Sequence, residues 1–138
     1  MGRPRLILVT GPAGSGKTSL AYALGRAIGC PVVSRDAIKE GMVVAEPGFA
    51  ATTGDHLTAR AYEVFFATLA LMLRAEVTTV AEASFGHQRW VTGLASLTDL
   101  AHLRVVRCQV SDAEARSRMQ RRLDVTQPAP LTRTPSTC

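Results

Sequence analysis

Apolar residues along the chain occur either in short continuous runs or in longer stretches where they recur every three or four positions. A short run predicts a strand buried on both faces, whereas the helical spacing predicts an amphipathic helix. The pattern predicts four strands, at residues 5–10, 31–34, 77–83 and 103–110. It predicts helices at residues 16–28, 36–42, 55–75 and 88–101, and a last helix that begins at Ser111.

The longest predicted helix, residues 55–75, has the clearest periodicity. Asp55 is placed to cap its N-terminus. Two other helix ends carry recognisable signals, since Gly29 follows the first helix and Ser111 and Glu114 form a capping box for the last one. The buried face of the long helix is predicted to comprise Leu57, Ala61, Val64 or Phe65, Thr68 or Leu69, and Met72.

This order of elements predicts the fold class. Strands that alternate with helices indicate an α/β protein with a mainly parallel sheet of about four strands and helices on both faces, a three-layer α/β/α arrangement. In such sheets ligands bind beyond the carboxyl ends of the strands. We therefore expect one crevice lined by residues 11–18, Ser34–Asp36, Glu82–Phe85 and Val110–Ser111.

The segment directly after the first strand, residues 11–18, reads Gly-Pro-Ala-Gly-Ser-Gly-Lys-Thr. It matches the phosphate-binding P-loop pattern G-x-x-x-x-G-K-[ST] in its required position between a strand and a helix. Lys17 is expected to reach the β- and γ-phosphates and the Thr18 hydroxyl to ligate Mg²⁺. The sequence thus predicts a nucleoside triphosphate site formed by Gly11, Pro12, Ala13, Gly14, Ser15, Gly16, Lys17, Thr18 and Ser19.

Asp36 follows the second strand, at the edge of the crevice where a phosphoryl acceptor would lie. A carboxylate there can accept a proton from an attacking hydroxyl and orient it for in-line transfer. Asp36 can equally serve as the N-cap of a helix that opens at Ala37. The two roles are compatible, and we assign Asp36 as a catalytic residue.

Glu82 ends the third strand. A carboxylate at that point can hold Mg²⁺ through water or position the attacking group. The alternative is structural pairing, for example with an arginine, because a buried carboxylate needs a partner. We place Glu82 with Thr18 in the predicted metal site.

The last predicted helix carries an arginine cluster, in which Arg118, Arg121 and Arg122 share one side. Guanidinium groups stabilise the charge that spreads over a transferring phosphoryl group. A solvated basic face is the alternative interpretation. We assign Arg118 and Arg122 as catalytic residues.

Composition and charge narrow the function classes. The net charge is +5, and the segment from Arg104 to Cys138 holds seven arginines against three carboxylates. Nucleic-acid binding is possible but not favoured, because aromatic residues do not interleave with the arginines. No apolar stretch approaches the ~20 residues of a membrane span. With no signal-peptide region and three widely spaced cysteines, a cytoplasmic protein without disulfides is expected.

Four segments together resemble the small P-loop kinases of the AAA_33 group, which includes proteins similar to zeta toxin and chloramphenicol phosphotransferase. These segments are residues 11–18, 31–39, 82–85 and 108–118, and the resemblance covers about residues 5–122. It implies that Asp36 activates the acceptor, that Lys17 and Thr18 bind phosphate and Mg²⁺, and that Arg118 and Arg122 begin the lid. Members of the group phosphorylate a hydroxyl on a small molecule or a polynucleotide end.

The chain departs from that group at two places. Relatives usually carry an aspartate near the end of the third strand, where this chain has Glu82. They also continue past the lid arginines with a fifth strand and a closing helix that contact adenine. Residues 125–138 form instead a proline-rich segment without apolar periodicity, which excludes a central strand or helix. We therefore expect a kinase-like domain at residues 1–124, an irregular tail that looks truncated or frame-shifted, and impaired base selectivity and lid closure.

These observations favour an ATP- and Mg²⁺-dependent kinase that transfers the γ-phosphoryl group to a hydroxyl. Two alternatives remain open: an ATP-binding or regulatory protein with impaired catalysis, and an arginine-rich nucleic-acid-binding protein. A GTPase is disfavoured, because no Asn/Thr-Lys-x-Asp segment for reading guanine occurs. The sequence specifies neither the acceptor nor the oligomeric state.

Overall fold

Four parallel strands form the central sheet of the computed structural model, which describes residues 2–52, 55–84 and 87–109. The strands run in the order β2-β3-β1-β4, and every neighbouring pair is parallel. This arrangement confirms the predicted α/β fold with a four-stranded parallel sheet. The strands are β1 (Arg5–Thr10), β2 (Val32–Ser34), β3 (Thr79–Glu82) and β4 (His102–Arg107).

Four helices connect or flank these strands in the described part of the chain. The predicted helix from Ser111, the domain boundary at residue 124 and the tail at residues 125–138 lie outside the described residues. The helices are α1 (Lys17–Ile28), α2 (Arg35–Val44), α3 (His56–Arg74) and α4 (His87–Ala95).

The sheet separates two apolar clusters, because successive side chains of a strand point to opposite faces. Leu6 and Leu8 of β1 belong to the cluster that contains Phe65, Leu69 and Leu73 of α3. Ile7 and Val9 belong to the cluster on the other face, which contains Ala21 of α1. Helices therefore cover both faces, as the predicted three-layer arrangement requires.

The buried face of α3 follows steps of four residues. Of the predicted alternatives, Phe65 and Leu69 are buried, whereas Val64 is 39% exposed. The prediction of Met72 is wrong, because Leu73 takes the fully buried position. Two adjacent positions satisfy a period of 3.6 about equally, so only packing against the sheet decides between them. The buried residues are Leu57, Ala61, Phe65, Leu69 and Leu73.

Several predicted helix boundaries differ from those of the structure, and two of the differences have local reasons. The N-cap of α2 is Ser34, which accepts a hydrogen bond from the Ala37 N–H, so the helix begins at Arg35 rather than at Asp36. Helix α4 ends at Ala95, and the chain continues to Leu100 in turns such as Leu100 N–H to Leu97 C=O. Leu97 and Ala101 remain buried in that segment. Apolar spacing alone did not distinguish these turns from helix.

The predicted helix signals at Gly29 and Asp55 are confirmed. Gly29 ends α1 with a left-handed φ of 82°. Asp55 is the N-cap of α3 and accepts from the Thr58 N–H at 2.8 Å. Its carboxylate also pairs with Lys39 of α2 at 3.3 Å, with the Asp55 side chain only 5% exposed. Asp55 therefore both caps α3 and fastens α2 to it.

The hydrogen bonds and the ion pair of Asp55 make the stability of the fold depend on pH. Burial alone would raise the pKa of Asp55, but hydrogen bonds from Thr58, Thr52 and Lys39 outweigh it and lower the pKa from 3.8 to about 2. Because the pKa of Asp55 is lower in the folded protein than in the unfolded chain, its carboxylate stabilises the fold fully at pH values above the ordinary pKa. This stabilisation is lost as the pH falls toward the folded-state pKa.

We expect Asp55→Asn to unfold at a lower temperature than the native chain at neutral pH, since the amide cannot pair with Lys39 as an ion. The difference in unfolding temperature between the two chains should narrow as the pH falls from 3.8 toward about 2, where the native carboxylate also becomes protonated. Thermal denaturation across this range measures it. Asp99→Asn, at an exposed carboxylate, is the control. A gap that is independent of pH would contradict the assignment.

Packing distinguishes two helical glycines. A Cβ at Gly93 of α4 would overlap the Phe66 ring of α3, whereas a Cβ at Gly41 of α2 would meet nothing within 4 Å. We expect Gly93→Ala to cost about 1–3 kcal/mol through overpacking. Gly41→Ala should instead stabilise by roughly 0.5–1 kcal/mol, because alanine is the better helix former. Denaturant unfolding of both variants measures these changes in the free energy of unfolding. Changes of the same sign in the two variants would contradict the packing described.

Candidate active site

The loop between β1 and α1 adopts a conformation that requires its glycines. Gly14 and Gly16 have left-handed φ angles of 81° and 85°. A Cβ at Gly11 would lie 2.7 Å from both the Cys108 carbonyl oxygen and the Ser15 Oγ. Because the N-cap of α1 is Gly16, no capping side chain covers the first-turn N–H groups. The loop and the helix N-terminus therefore offer backbone donors to an anion.

The predicted nucleotide-binding residues differ in exposure along this loop. Pro12 and Ala13 are exposed at its tip. Gly16, Thr18 and Ser19 are partly buried. The loop thus combines an exposed turn with a buried base, which consists of Gly11, Gly14, Ser15 and Lys17.

A fully buried carboxylate, that of Glu82, lies beside this base. Its Oε1 accepts from the Thr18 hydroxyl at 3.0 Å, and its Oε2 accepts from the Ser34 hydroxyl at 2.7 Å. The Lys17 Nζ lies 3.8 Å from Oε1, within the range of an ion pair but beyond a hydrogen bond. The carboxylate therefore has a partner on each oxygen and a positive charge nearby.

Sheet register brings these groups together. Ser34, the last residue of β2, is opposite Glu82, the last residue of β3, and Glu82 is opposite Val9 of β1. The three strands end within one residue of the same level, and α1 follows β1 after the loop at that edge. Residues from separate parts of the sequence consequently meet where a parallel sheet binds its ligands.

The alternatives that the sequence left open for Glu82 are partly resolved. Its described partners are Lys17, Thr18 and Ser34, so the suggested pairing with an arginine is wrong for the described residues. The two remaining roles of Glu82, structural pairing and metal binding, are compatible. One of the residues that donates a hydrogen bond to Glu82, Thr18, is also the expected Mg²⁺ ligand.

Sequence reasoning gave Ser34 no role of its own, yet it serves two. Its hydroxyl oxygen accepts from the Ala37 N–H at 3.3 Å and its proton is donated to Glu82. A serine before a helix is a recognisable capping signal. Its second role depends on the pairing of β2 with β3, which no local pattern contains.

Asp36 lies in the first turn of α2, two residues beyond Ser34. The interpretation of Asp36 as an N-cap is wrong, because Ser34 occupies that position. Its carboxylate is 48% exposed and pairs with the neighbouring Arg35 at 2.6 Å. Asp36 is thus accessible to a ligand at the carboxyl edge of the sheet. The other two predicted catalytic residues outside the loop, Arg118 and Arg122, lie outside the described residues.

The donor set around Glu82 suits Mg²⁺. This ion prefers oxygen ligands, keeps several waters, and is commonly bound through one or two carboxylates together with substrate phosphates. Thr18 Oγ1 and Glu82 Oε1 provide such oxygens 3.0 Å apart, next to the phosphate loop. The residues present therefore fit the ion that the P-loop pattern implies.

Comparison with known proteins agrees with this geometry. The AAA domain family AAA_33 matches residues 6–133. The chain belongs to this family. The resemblance inferred from the sequence is thus confirmed. A comparison with curated proteins gave no match.

Several solved structures share the fold. A candidate kinase from Chloroflexus aurantiacus J-10-fl superposes with a TM-score of 0.84 and 27% identity, over 94% of this chain and 72% of that one. A chain of the Pnkp1/Rnl/Hen1 RNA repair complex gives a TM-score of 0.77 and 18% identity, over 94% of this chain and 41% of that one. A gluconokinase from Sinorhizobium meliloti 1021 gives a TM-score of 0.56 and 23% identity, over 90% of this chain and 68% of that one. Within the residues described here, no helix has the length and apolarity needed to cross a membrane.

The role of Ser34 can be measured by removing its hydroxyl. Ser34→Ala leaves the buried Glu82 Oε2 without its donor and α2 without its side-chain cap. We expect a loss of about 2 kcal/mol or more in the free energy of unfolding, since an unsatisfied buried group costs ~1–3 kcal/mol and a lost cap ~1.

The matched control is Ser96→Ala, which removes an exposed hydroxyl that donates to the Gly93 carbonyl. A surface change of this kind stays within about 0.5 kcal/mol. An equal loss in the free energy of unfolding for Ser34→Ala and Ser96→Ala would contradict the buried Ser34–Glu82 hydrogen bond.

Proposed function

We propose that this protein is an ATP- and Mg²⁺-dependent kinase that transfers the γ-phosphoryl group of ATP to a hydroxyl group. The observation that carries the proposal is the buried junction of Lys17, Thr18 and Glu82 at the base of the phosphate loop. A loop that merely turned a strand into a helix would not need an oxygen pair and a buried lysine at its base.

The donor side consists of the glycine-rich loop and the side chains behind it. The backbone N–H groups of the loop and the α1 N-terminus bind phosphate oxygens, and Lys17 neutralises their charge. Thr18, and Glu82 directly or through water, would hold Mg²⁺. When bound, the ion neutralises charge on the phosphates and orients them.

The acceptor side is assigned to Asp36. Its carboxylate orients the acceptor hydroxyl and takes its proton as the hydroxyl oxygen bonds to the γ-phosphorus. The bond between that phosphorus and the β–γ bridging oxygen breaks, which leaves ADP and a phosphate monoester. Arg118 and Arg122 are proposed to neutralise the charge that develops on the transferred group. The gluconokinase among the similar folds, whose name indicates a hydroxyl-bearing sugar acid as its substrate, supports a hydroxyl acceptor.

Nucleotide binding is tested first, by melting temperature with and without MgATP. Ligand at about 100 times its Kd stabilises the native chain by roughly 2.7 kcal/mol, which is a shift of several degrees. In Lys17→Ala the shift on adding MgATP should largely disappear. Because this variant also removes the charge beside Glu82, only the nucleotide-dependent shift is compared. An equal shift in both chains would remove Lys17 from phosphate binding.

Transfer is tested separately with Asp36→Asn. We expect the same MgATP-dependent shift as in the native chain, with acceptor-dependent ADP release reduced by about 10²–10⁴-fold, as for loss of a general base. Glu40→Gln, at an exposed carboxylate on the same helix, is the matched control and should retain release. Full transfer by Asp36→Asn would exclude this role. A MgATP shift without turnover of any hydroxyl compound would indicate an ATP-binding protein rather than a kinase.

A further inference from the structure

Beside the active site, two arginines lie over one tyrosine ring. The guanidinium carbon of Arg35 is 4.9 Å from the centre of the Tyr62 ring, and that of Arg89 is 3.9 Å from the same centre. The two guanidinium groups are therefore no further apart than these two distances combined. We call Arg35, Tyr62 and Arg89 the arginine–tyrosine cluster.

The cluster lies on the acceptor side of the sheet's carboxyl edge. Arg35 directly follows Ser34, whose hydroxyl contacts Glu82, and its guanidinium pairs with the Asp36 carboxylate. Arg89 is in α4, the helix that follows β3 and Glu82. The cluster is thus continuous with Asp36, the residue proposed to receive the acceptor hydroxyl.

The charges in this cluster are unbalanced. Arg35 has one carboxylate partner, Asp36, and its buried Nε has no hydrogen-bond partner among the described residues. Arg89 is exposed and forms no ion pair within the described ranges. A buried donor without an acceptor is unfavourable, and two neighbouring guanidinium groups repel each other. An anion that contacts both guanidinium groups would offset the repulsion between them.

Stacking on an aromatic ring explains only part of this arrangement. One arginine over Tyr62 would form a cation–π contact and leave its planar edge free for hydrogen bonds. A second arginine on the same ring adds another positive charge without a carboxylate. Planar guanidinium groups match carboxylate and phosphate oxygens in a two-point geometry. The cluster therefore has the composition of an anion site.

We propose that the arginine–tyrosine cluster binds a carboxylate or phosphate group of the phosphoryl acceptor. The acceptor is then a hydroxyl compound that carries an anionic group, with the hydroxyl at Asp36 and the anion at Arg35 and Arg89. This inference rests on the kinase function proposed above, from which it differs in naming the class of substrate.

Binding is measured first, with the phosphate loop saturated by the magnesium complex of a non-hydrolysable ATP analogue so that it does not compete for anions. The probes are glycerate and glycerol 3-phosphate, which distinguish a carboxylate from a phosphate, with glycerol as the neutral control. The only tryptophan of the chain, Trp90, neighbours Arg89 and provides a local fluorescence signal. We expect saturable binding of at least one anion, weakened by salt, and none of glycerol.

Arg89→Ala should weaken that binding by about tenfold or more, the loss expected for hydrogen bonds to a charged group. Arg89→Lys, which keeps the charge but not the planar fork, should lose less. Arg60→Ala is the matched control, because it removes an exposed arginine from α3 outside the cluster. Absence of binding by both anions, equal binding of glycerol, or unchanged affinity in Arg89→Ala would each overturn the proposal.

Turnover separates this inference from the kinase proposal. With ATP, glycerate or glycerol 3-phosphate should give a kcat/KM about tenfold or more above that of glycerol, and Arg89→Ala should reduce this ratio. Anion binding at the cluster without any turnover would contradict the kinase function and leave the anion site in place. Turnover of glycerol at the same efficiency as the anions would support the kinase and overturn the anion site.

Discussion

The buried carboxylate of Glu82 constrains the whole carboxyl edge of the sheet. A carboxylate with no exposure is stable only where hydrogen bonds and an opposite charge replace water. Here those partners come from α1 and from the end of β2, through Thr18, Lys17 and Ser34. The phosphate loop, β2 and β3 must therefore keep their relative positions for the fold to be stable. The same requirement places the candidate chemical groups side by side.

This arrangement couples stability to ligand binding. Lys17 lies too far from Glu82 to donate a hydrogen bond, so the pair is held by electrostatic attraction. An anion in the loop would therefore meet a lysine already placed and partly desolvated. Such preorganisation lowers the cost of ordering side chains on binding. The buried base of the loop thus contributes to both the fold and the proposed donor site.

The proposed acceptor side is built differently. Asp36 and Arg35 are in the first turn of α2, which is fixed at one end by the Ser34 cap and farther along by the Lys39–Asp55 ion pair to α3. Tyr62 and Arg89 come from α3 and α4, whose packing is tight enough to exclude a side chain at Gly93. The proposed donor side depends on sheet register, whereas the proposed acceptor side depends on how three helices pack on one face of the sheet.

The sequence by itself determined the features that local spacing encodes. The glycine pattern at residues 11–18 identified the phosphate loop, and the alternation of apolar runs predicted the α/β fold and its four strands. It also placed Glu82 at the end of a strand and Asp36 shortly after one. The spacing did not fix the helix boundaries, because the turns after Ala95 keep the spacing of buried residues and because both Ser34 and Asp36 are residue types that cap a helix.

Only the tertiary structure decided which of these residues meet. Thr18 and Glu82 are 64 positions apart in the chain, and their hydrogen bond exists because β1 and β3 pair in one particular register. The order β2-β3-β1-β4 likewise puts Ser34 beside Glu82, and helix packing puts Arg35 and Arg89 on one ring. Periodicity along the chain specifies which face of an element is buried, but not which element covers it, because the same apolar face can pack against many partners.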